Sequence, residues 1–519
     1  MGYFEGGDYK RIPADYDILN VVVCQIRIWK AEAPNWFEDK KGVYFTEAES
    51  IEIHQSYSNI ISTATIKMPR GAVLAKAITK DGDNKTIKAG NGSKDSVETQ
   101  LKDQTQSGQL IADGSSIDTG GIPTLSVETQ RDDAGNTSIT HKEDRLVTVD
   151  DIAIGNRIEI KMGYVVDELP NGESVEEKIK KLRNGEEVLG VNLVFSGFIT
   201  ACSPSSPLII ECEDMASLLK KKGCPVVLPN KDYKVKDFLL SKGEGGIFDI
   251  LNGTGLVCSE ITKKSDISVG KVEINKNNTI SDLLSDWVNN LGLAMFMEPD
   301  GKSIRVARRL YTGEEIESNV NYINYSDGAP AEFIQFDWDV ANDNLSVSQI
   351  DPNFVVVVAS GFDKDKKPLK VTVRKPENVD TNGQTQWDYI NEHQPSAKKT
   401  KKRKGGQTRQ RLSIKKSNYV ILKHEVAHAV TMDELKESAR NFWKANAQNG
   451  IKGSITIFGD RNITPGKVVC LIDPRQPEKQ GYYIVESVTI RFGADVGYKK
   501  ELTIPYRLKG YDKPIKYIT

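Results

Sequence analysis

The sequence has little histidine, few cysteines and almost no net charge. In 519 residues there are five histidines and six cysteines, and 70 basic residues are balanced by 72 acidic ones, giving a formal charge of −2. A balance this close excludes a whole-chain electrostatic field that would attract nucleic acid or an anionic membrane. A partner bound through charge must therefore be bound by a local patch.

Long hydrophobic runs are also missing. No segment approaches the ~18 uninterrupted apolar residues of a membrane-spanning helix. The first residues, MGYFEGGDYKRIPADYDILN, lack the basic region and the apolar stretch of a cleaved signal. We therefore expect neither a membrane-spanning segment nor export by a cleaved signal.

The cysteines lie far apart, and no CxxC pair occurs among them. This spacing argues against a zinc ribbon and against a redox motif. Neither a cofactor nor a metal is expected. We predict reduced core thiols at Cys24, Cys202, Cys212, Cys224, Cys258 and Cys470.

What the chain does contain is enough apolar side chain for several cores. The hydrophobic fraction is 38% and the charged fraction is 27%, as in globular proteins with a solvated surface. A chain of 519 residues is too long for one core, so about three or four domains are expected.

The first part of the chain has the period-two pattern of β-strands. Apolar residues, many of them β-branched, alternate with polar ones, which predicts antiparallel sheet with one wet face. From about residue 75 to 150 the composition changes to Gly, Ser, Thr, Asp, Asn and Gln, which predicts an insertion outside the core. The predicted strand segments are Val21 to Trp29, Ser50 to Tyr57, Ser62 to Pro69, Ile152 to Tyr164 and Val191 to Asp214.

The middle of the chain has helical spacing instead. The segment TISDLLSDWVNNLG, from Thr279 to Gly292, places its apolar residues on one helical face behind a threonine cap. Pro299, Asp300 and Gly301 then form a turn signature between two alternating apolar runs. These features predict a small α+β unit.

The last part returns to the β pattern from Glu332 onward. A polar, basic segment of about residues 376–417 interrupts it, and a capping box from Thr431 to Glu434 opens a helix that closes before Gly450. We therefore expect a mainly β protein with α+β content. Its predicted domains are 1–224 (β, with the polar insertion at about 75–150), 225–315 (α+β) and 316–519 (β, with the basic insertion).

The two β domains resemble each other. IGNRIEIKMG, LVFSGFITA and PLIIECED in the first half have the same order as PGKVVCLID, GYYIVESVTI and KELTIPYRL in the second. Each set has a strand led by glycine, an excursion, a strand with glycine and aromatic residues, and a closing strand. The order of these elements, and of the two insertions, indicates two related β-barrels on one chain.

At these same residues the sequence resembles the phage tail hub family, which includes late-control-D-like proteins, baseplate hubs of contractile tails and the hub part of type VI secretion spikes. The segments that carry the resemblance are IKMP, GNRIEIKMGY, LVFSGFITACSPSSPLIIECEDMASLLK and ITPGKVVCLIDPRQPEKQGYYIVESVTIRFGADVGYKKELTI. The chain departs from the family in its two insertions, and it has no evident spike repeat.

The resemblance implies two tube-like barrels in each subunit, so that a homotrimer imitates a six-subunit ring. Such a hub joins a hexameric tail tube to a trimeric spike or tip protein and contacts other baseplate proteins. It implies a structural, non-enzymatic component of the virion tail that is assembled in the host cytoplasm, with DNA passing through the lumen.

One motif points to a different function. HEVAH matches the HExxH pattern of zinc peptidases, in which His424 and His428 would bind zinc and Glu425 would be the general base. That pattern needs a helix. Here HEVAH lies in a β-rich stretch, and the next helix begins only after Thr431. We therefore keep a tail-associated zinc metallopeptidase as the alternative. A peptidoglycan hydrolase would need two paired carboxylates, and no segment isolates such a pair.

The strongest local charge lies in KKTKKRKGGQTRQR. These residues could neutralise DNA phosphates, but no aromatic residues are interleaved with them, which favours a solvated loop or one that docks on an acidic neighbour. The candidate interaction loop consists of Lys398, Lys399, Lys401, Lys402, Arg403 and Lys404.

Overall fold

The structure is a computed structural model of the chain. It describes residues 21–32, 35–38, 42–69, 73–74, 86–87, 125–131, 137–143, 145–146, 152–166, 172–203, 205–228, 231–272, 274, 277–309, 320–323, 331–348, 355–363, 367–379, 385–393, 420–429, 432–446, 450–505 and 507–509.

Strands make up most of the regular structure, as the sequence predicts. They are β1 (Val21–Trp29), β2 (Val43–Phe45), β3 (Ser50–Ser56), β4 (Thr63–Met68), β5 (Val73–Leu74), β6 (Thr86–Ile87), β7 (Leu125–Arg131), β8 (Thr137–Glu143), β9 (Arg145–Leu146), β10 (Arg157–Val165), β11 (Val191–Ser203), β12 (Leu208–Asp214), β13 (Asp232–Lys234), β14 (Val257–Cys258), β15 (Ser268–Lys271), β16 (Leu293–Met297), β17 (Ser303–Arg308), β18 (Glu332–Gln335), β19 (Val340–Ser348), β20 (Val355–Phe362), β21 (Pro368–Val379), β22 (Thr385–His393), β23 (Val420–Ala429), β24 (Gly450–Phe458), β25 (Val468–Ile472), β26 (Gly481–Ile484), β27 (Ser487–Gly493), β28 (Gly497–Ile504) and β29 (Arg507–Lys509).

The helices are short, apart from two. They are α1 (Val175–Arg183), α2 (Val235–Leu239), α3 (Glu260–Lys264), α4 (Ile280–Asn290), α5 (Phe336–Asp339) and α6 (Met432–Asn446), with 3-10 helices at Met215–Lys221, Lys242–Glu244 and Pro477–Lys479. The predicted threonine cap is present on α4, where the Thr279 side chain accepts from the Asp282 N–H.

The largest sheet contains eleven strands within the described ranges, in the order β19-β24-β28-β27-β3-β4-β12-β11-β10-β1-β2. Its strands alternate between core and solvent: in β3, Ile51 and Ile53 are buried while Glu52 and His54 are exposed. Strands from both ends of the chain therefore share one sheet with one dry face.

This arrangement differs from two separate, closed barrels. The strand order does not return to its first strand within the described residues, and the two β domains are continuous because β3 pairs with β27. Strand alternation specifies which face of a strand is buried, but not which strand lies beside it.

The first and last parts of the chain repeat the same backbone loop. The N–H of Gly155 donates to the carbonyl of Ile199 at 2.8 Å, and the Ile199 N–H donates to the carbonyl of the residue after Gly155. Gly466 and Val485 form the same pair of bonds, also beginning at 2.8 Å. The φ angles of the two glycines are +90° and +82°, a region that favours glycine.

From these two loops the match extends along the strands, across register irregularities such as the one between Ile199 and Ala201 in module 1. Module 1 is the strand set β3, β4, β12, β11 and β10, in which each strand pairs antiparallel with the next. Module 2 is the set β19, β24, β28 and β27, which pair antiparallel in this order, together with β26 and β25, which pair antiparallel in a separate sheet. One row of paired residues in each module is Ala201, Glu211, Thr65 and Glu52, matched to Ser487, Thr503, Ser454 and Asn344.

The insertions do not occupy matching positions, which corrects the sequence-based expectation. In module 1 the polar insertion lies between β4 and β10. In module 2, residues 349–449 lie between β19 and β24, where module 1 has the short turn 57–62. The second insertion includes a folded unit, because β22-β21-β20-β23 form a sheet whose core Trp443 of α6 helps to fill.

The middle of the chain has its own core. Trp287 of α4 packs edge-on against Phe238 of α2, with ring centroids 5.1 Å apart. The cluster also takes in Met215 and Phe198, so it continues onto the end of module 1.

Candidate assembly edges

The internal junction between the modules is a strand pair. β3 and β27 pair antiparallel from Ser56↔Ser487 to Ser50↔Gly493. On the dry face Ile53 lies opposite Ile490, and both are buried. On the wet face His54 Nδ1 lies 3.1 Å from Thr489 Oγ1. The junction thus combines main-chain bonds, apolar packing and polar contacts.

Polar residues continue across the wet face on both sides of this junction. Arg491 bridges Glu52 at 3.2 Å and Glu501 at 2.6 Å. Because charges of both signs are interspersed, this face lacks the single-sign field that would hold a polyanion tightly. Further residues of the face are Thr63, Thr65, Lys67, Glu211, Ser454, Thr456 and Thr503.

Several strand edges have no neighbour among the described residues, and two of them lie at the ends of the matched modules. β19 pairs with β24 on one side only, and Ala341 to Asn344 are exposed. In β11, Ala201 to Ser203 pair only with β12, because the pairing with β10 ends at Phe198. Unpaired edges present N–H and C=O groups that another strand can satisfy.

The HEVAH segment lies on strand β23, not on a helix, as its β-rich surroundings predict. His424 stacks on Phe442 of α6 with ring centroids 4.4 Å apart, and its Nε2 lies 2.8 Å from Ser438 Oγ. Burial lowers the pKa of His424 to about 4. Glu425 is exposed, and the side chain of His428 lies outside the described residues. The helical scaffold of a zinc peptidase is therefore not formed here.

A pair of carboxyl groups that the sequence did not isolate lines a cleft between the middle unit and the two modules. Asp214 and Glu298 both border it, together with Lys500. Asp214 accepts from the N–H of Ser62 at 2.8 Å and of Ala216 at 3.0 Å, so it caps the 3-10 helix that follows. Burial raises the pKa values of both carboxyl groups, that of Asp214 to about 7. The signal in the sequence that could have identified Asp214 is its position as the cap between a strand and the helical segment MASLLK.

The remaining predicted features concern the basic loop, metal binding and membrane-spanning helices. The loop Lys398, Lys399, Lys401, Lys402, Arg403 and Lys404 lies outside the described residues. Within the described ranges, no three His, Cys, Asp or Glu residues are grouped closely enough to hold a metal ion. None of the helices described here has the length and apolar character needed to span a bilayer.

No protein-family model matches the sequence, and no curated protein does. Among solved structures, the chain is similar to a tail protein from Neisseria meningitidis MC58, with a TM-score of 0.44, 12% identity, and coverage of 93% of this chain and 96% of that one. It is also similar to the 43 kDa tail protein of prophage MuSo2 from Shewanella oneidensis, with a TM-score of 0.41, 11% identity, and coverage of 93% and 97%.

A third similar structure is the E. coli c3393 protein, a component of the type VI secretion system, with a TM-score of 0.34, 8% identity, and coverage of 94% and 79%. These three structures are thus two tail proteins and one component of a type VI secretion system.

Proposed function

We propose that this chain is the structural, non-enzymatic hub of a phage tail or of a phage-derived injection apparatus. Three copies form a homotrimeric ring in which each copy contributes two equivalent modules. A ring of six modules built from three chains adapts a hexameric tail tube to a trimeric spike or tip protein.

The observation that carries this proposal is the matched pair of modules. The loops at Gly155 and Gly466 have the same pair of backbone hydrogen bonds, and four strands of each module have the same order in the large sheet. A contact between unlike surfaces generates a ring when the rotation closes. Two modules per chain therefore allow one type of contact to recur six times in a trimer. Each tube-like barrel wall is then completed by neighbouring copies.

The wet face of the large sheet has the polar character expected of a surface that lines the channel of the ring. Its mixed charges, with Arg491 between Glu52 and Glu501, suit a surface along which DNA passes without being held. Tail tube protein, spike or tip protein and other baseplate proteins are the proposed partners, in the virion tail after assembly in the host cytoplasm. The domains 1–224, 225–315 and 316–519 are proposed as the tube-like, linking and second tube-like units.

Electron microscopy of the purified protein tests this function. The expected particle is a ring of three 57.6 kDa chains with sixfold pseudosymmetry, and mass measurement in solution gives its copy number. A protein that is monomeric at every concentration, and that is absent from purified tails, would contradict the proposal.

A further inference from the structure

We infer that residues 224–228, at the start of the middle unit, are a docking edge for an extended segment of a partner protein. The segment that fits has apolar side chains at alternate positions and acidic residues at its ends. The inference concerns the middle unit and does not depend on the proposed ring.

Contacts within the chain hold the 224–228 edge in place at both ends. At its start, the N–H of Cys224 donates to the carbonyl of Asn278 at 3.0 Å. At its end, the N–H of Leu228 donates to the hydroxyl of Tyr233 at 2.9 Å. Between them, Val227 packs against the core of the middle unit. The edge is therefore ordered before a partner arrives, which lowers the entropy cost of binding.

Between these anchors, apolar side chains and backbone groups face solvent. The exposed fraction is 93% for Val226 and 63% for Leu228. Within the part of the chain that the structure describes, no hydrogen bond uses the N–H groups or the carbonyl oxygens of Val226 and Val227. An added strand requires this combination, because main-chain bonds provide affinity and alternate side chains provide specificity.

The sequence around the 224–228 edge carries charge of one sign. From residue 215 to residue 231 the chain has four lysines and no acidic residue. Lys220 bridges Glu213 at 2.7 Å, whereas Lys221 and Lys231 form no ion pair within the described ranges. Unpaired lysines therefore flank the edge on both sides. The four lysines are Lys220, Lys221, Lys222 and Lys231.

This charge favours another protein over a second copy of the chain. Lys231 Nζ lies 5.4 Å from the ring centroid of Tyr233, whose hydroxyl anchors the edge. Asp282 of α4 lies near Cys224, but its carboxylate already accepts from the N–H and the hydroxyl of Thr279, each at 2.8 Å. Acidic ends on a partner segment would meet the lysines, whereas two copies of this edge would bring like charges together.

Peptide binding to the purified full chain tests the chemistry of the partner. The probe is a fluorescein-labelled peptide of alternating valine and threonine with glutamates at both ends, followed by fluorescence anisotropy. One control peptide has lysines in place of the glutamates. A second control has a central proline, which lacks the N–H that a strand needs. The acidic peptide should bind at least tenfold more tightly than either control.

Variants of the edge locate the binding. Val226→Pro removes the unpaired N–H, and Leu228→Asp places a negative charge among the exposed apolar side chains. Each should weaken binding of the acidic peptide at least tenfold. Both should leave the midpoint of thermal unfolding within about 2 °C, because the two side chains are exposed. Leu189→Asp is the matched control, since Leu189 is 91% exposed outside the edge and should leave binding unchanged.

The outcomes separate this inference from the proposed function. A three-chain ring that does not bind the acidic peptide overturns this inference alone. Equal binding of either control peptide, or unchanged binding by Val226→Pro, also overturns it. If Val226→Pro instead lowers the number of chains in the purified particle, the occupant is a second copy and the assigned partner is wrong. A monomeric chain that binds the three peptides in the expected order supports this inference and contradicts the hub.

Discussion

The hydroxyl of Tyr164 donates a hydrogen bond to the backbone carbonyl of Tyr498, at 2.6 Å and across 334 positions in the sequence. The rings lie 5.6 Å apart. Tyr164 is on β10 and Tyr498 is on β28, and five other strands separate β10 from β28 in the sheet. The sheet must therefore curve strongly to bring them together, and one apolar cluster contains residues of both modules.

Tyr164→Phe should lower the free energy of unfolding by about 1 kcal/mol. The loss stays small because the Tyr498 carbonyl keeps a second donor, the Gly459 N–H at 3.0 Å. Denaturant unfolding of the full chain measures the change, with Tyr44→Phe on β2 as the control. A loss equal to that of the control would show that the bond does not stabilise the curved sheet.

Asp214→Ala should cost more, about 2 to 3 kcal/mol. The substitution leaves the buried N–H groups of Ser62 and Ala216 without their side-chain acceptor. The neighbouring Glu213→Ala breaks only the partly exposed ion pair with Lys220, which should cost less than about 1 kcal/mol. If the two variants unfold at the same temperature, the two hydrogen bonds that Asp214 accepts do not stabilise the contact between β4 and the 3-10 helix.

The same residue predicts a pH dependence. Burial raises the pKa of Asp214 to about 7, above the ordinary value of about 4. Its contribution to stability is therefore present below pH 4 and is lost as the pH rises through 7. Asp214→Asn cannot ionise, so wild type should lose stability relative to this variant between pH 4 and 8. Parallel unfolding curves across that range would contradict the raised pKa.

His424, in the second insertion, predicts a pH dependence of stability with the opposite sign. Burial lowers its pKa to about 4, so neutral His424 stabilises the sheet-and-helix unit above its ordinary pKa of about 6.5, and this stability is lost as the pH falls towards 4. The difference in tryptophan fluorescence between wild type and a Trp443→Phe variant follows the transition in the core of that unit. The control is His424→Gln, which should lose most of the acid sensitivity.

Metal analysis of the same protein addresses the peptidase alternative. His424 and His428 lie on strand β23, so they lack the helical turn that places residues four apart on one face for a shared tetrahedral zinc. We expect no stoichiometric zinc and no protease activity that disappears with His424→Ala. Zinc that binds one per chain and is lost in that variant would reinstate the metallopeptidase.

Local features of this fold follow from the sequence, and long-range pairings do not. The cap at Thr279 and the turn at Asp300, whose carboxylate accepts from the N–H groups of Lys302 and Ser303, depend on residues close in sequence. The order of similar strands in both halves is visible for the same reason. The β3–β27 junction is not, because alternation specifies a strand's buried face and leaves its neighbour undetermined.

Parallel pairs were missed on the same grounds. β18 pairs parallel with β25, and β20 pairs parallel with β23. In both pairs the two strands lie far apart in the sequence. The candidate edges could not be read from the sequence either. β19 has the alternation of a strand, but its open side is defined only by which strand lies next to it. The equivalence of Gly155 and Gly466 was predicted from the sequence, because IGNR and PGKV begin matched strands.

The basic loop is predicted to act in assembly and to be dispensable for folding. Its six residues, Lys398, Lys399, Lys401, Lys402, Arg403 and Lys404, carry like charges that repel one another and cannot be buried without acidic partners. Replacing all six with serine should therefore leave the midpoint of thermal unfolding within about 2 °C, and reduce incorporation into particles several-fold.

The design of this test separates a role in docking from a role in DNA contact. If the loop contacts phosphates, DNA binding by the wild-type chain should weaken steeply with added salt, and the serine variant should have a smaller slope. If it docks on an acidic neighbour, DNA binding stays the same while incorporation falls. A matched control replaces six exposed lysines outside the loop, Lys242, Lys264, Lys302, Lys370, Lys423 and Lys452, with serine. Equal loss of incorporation in the control would show that total charge, and not this loop, determines assembly.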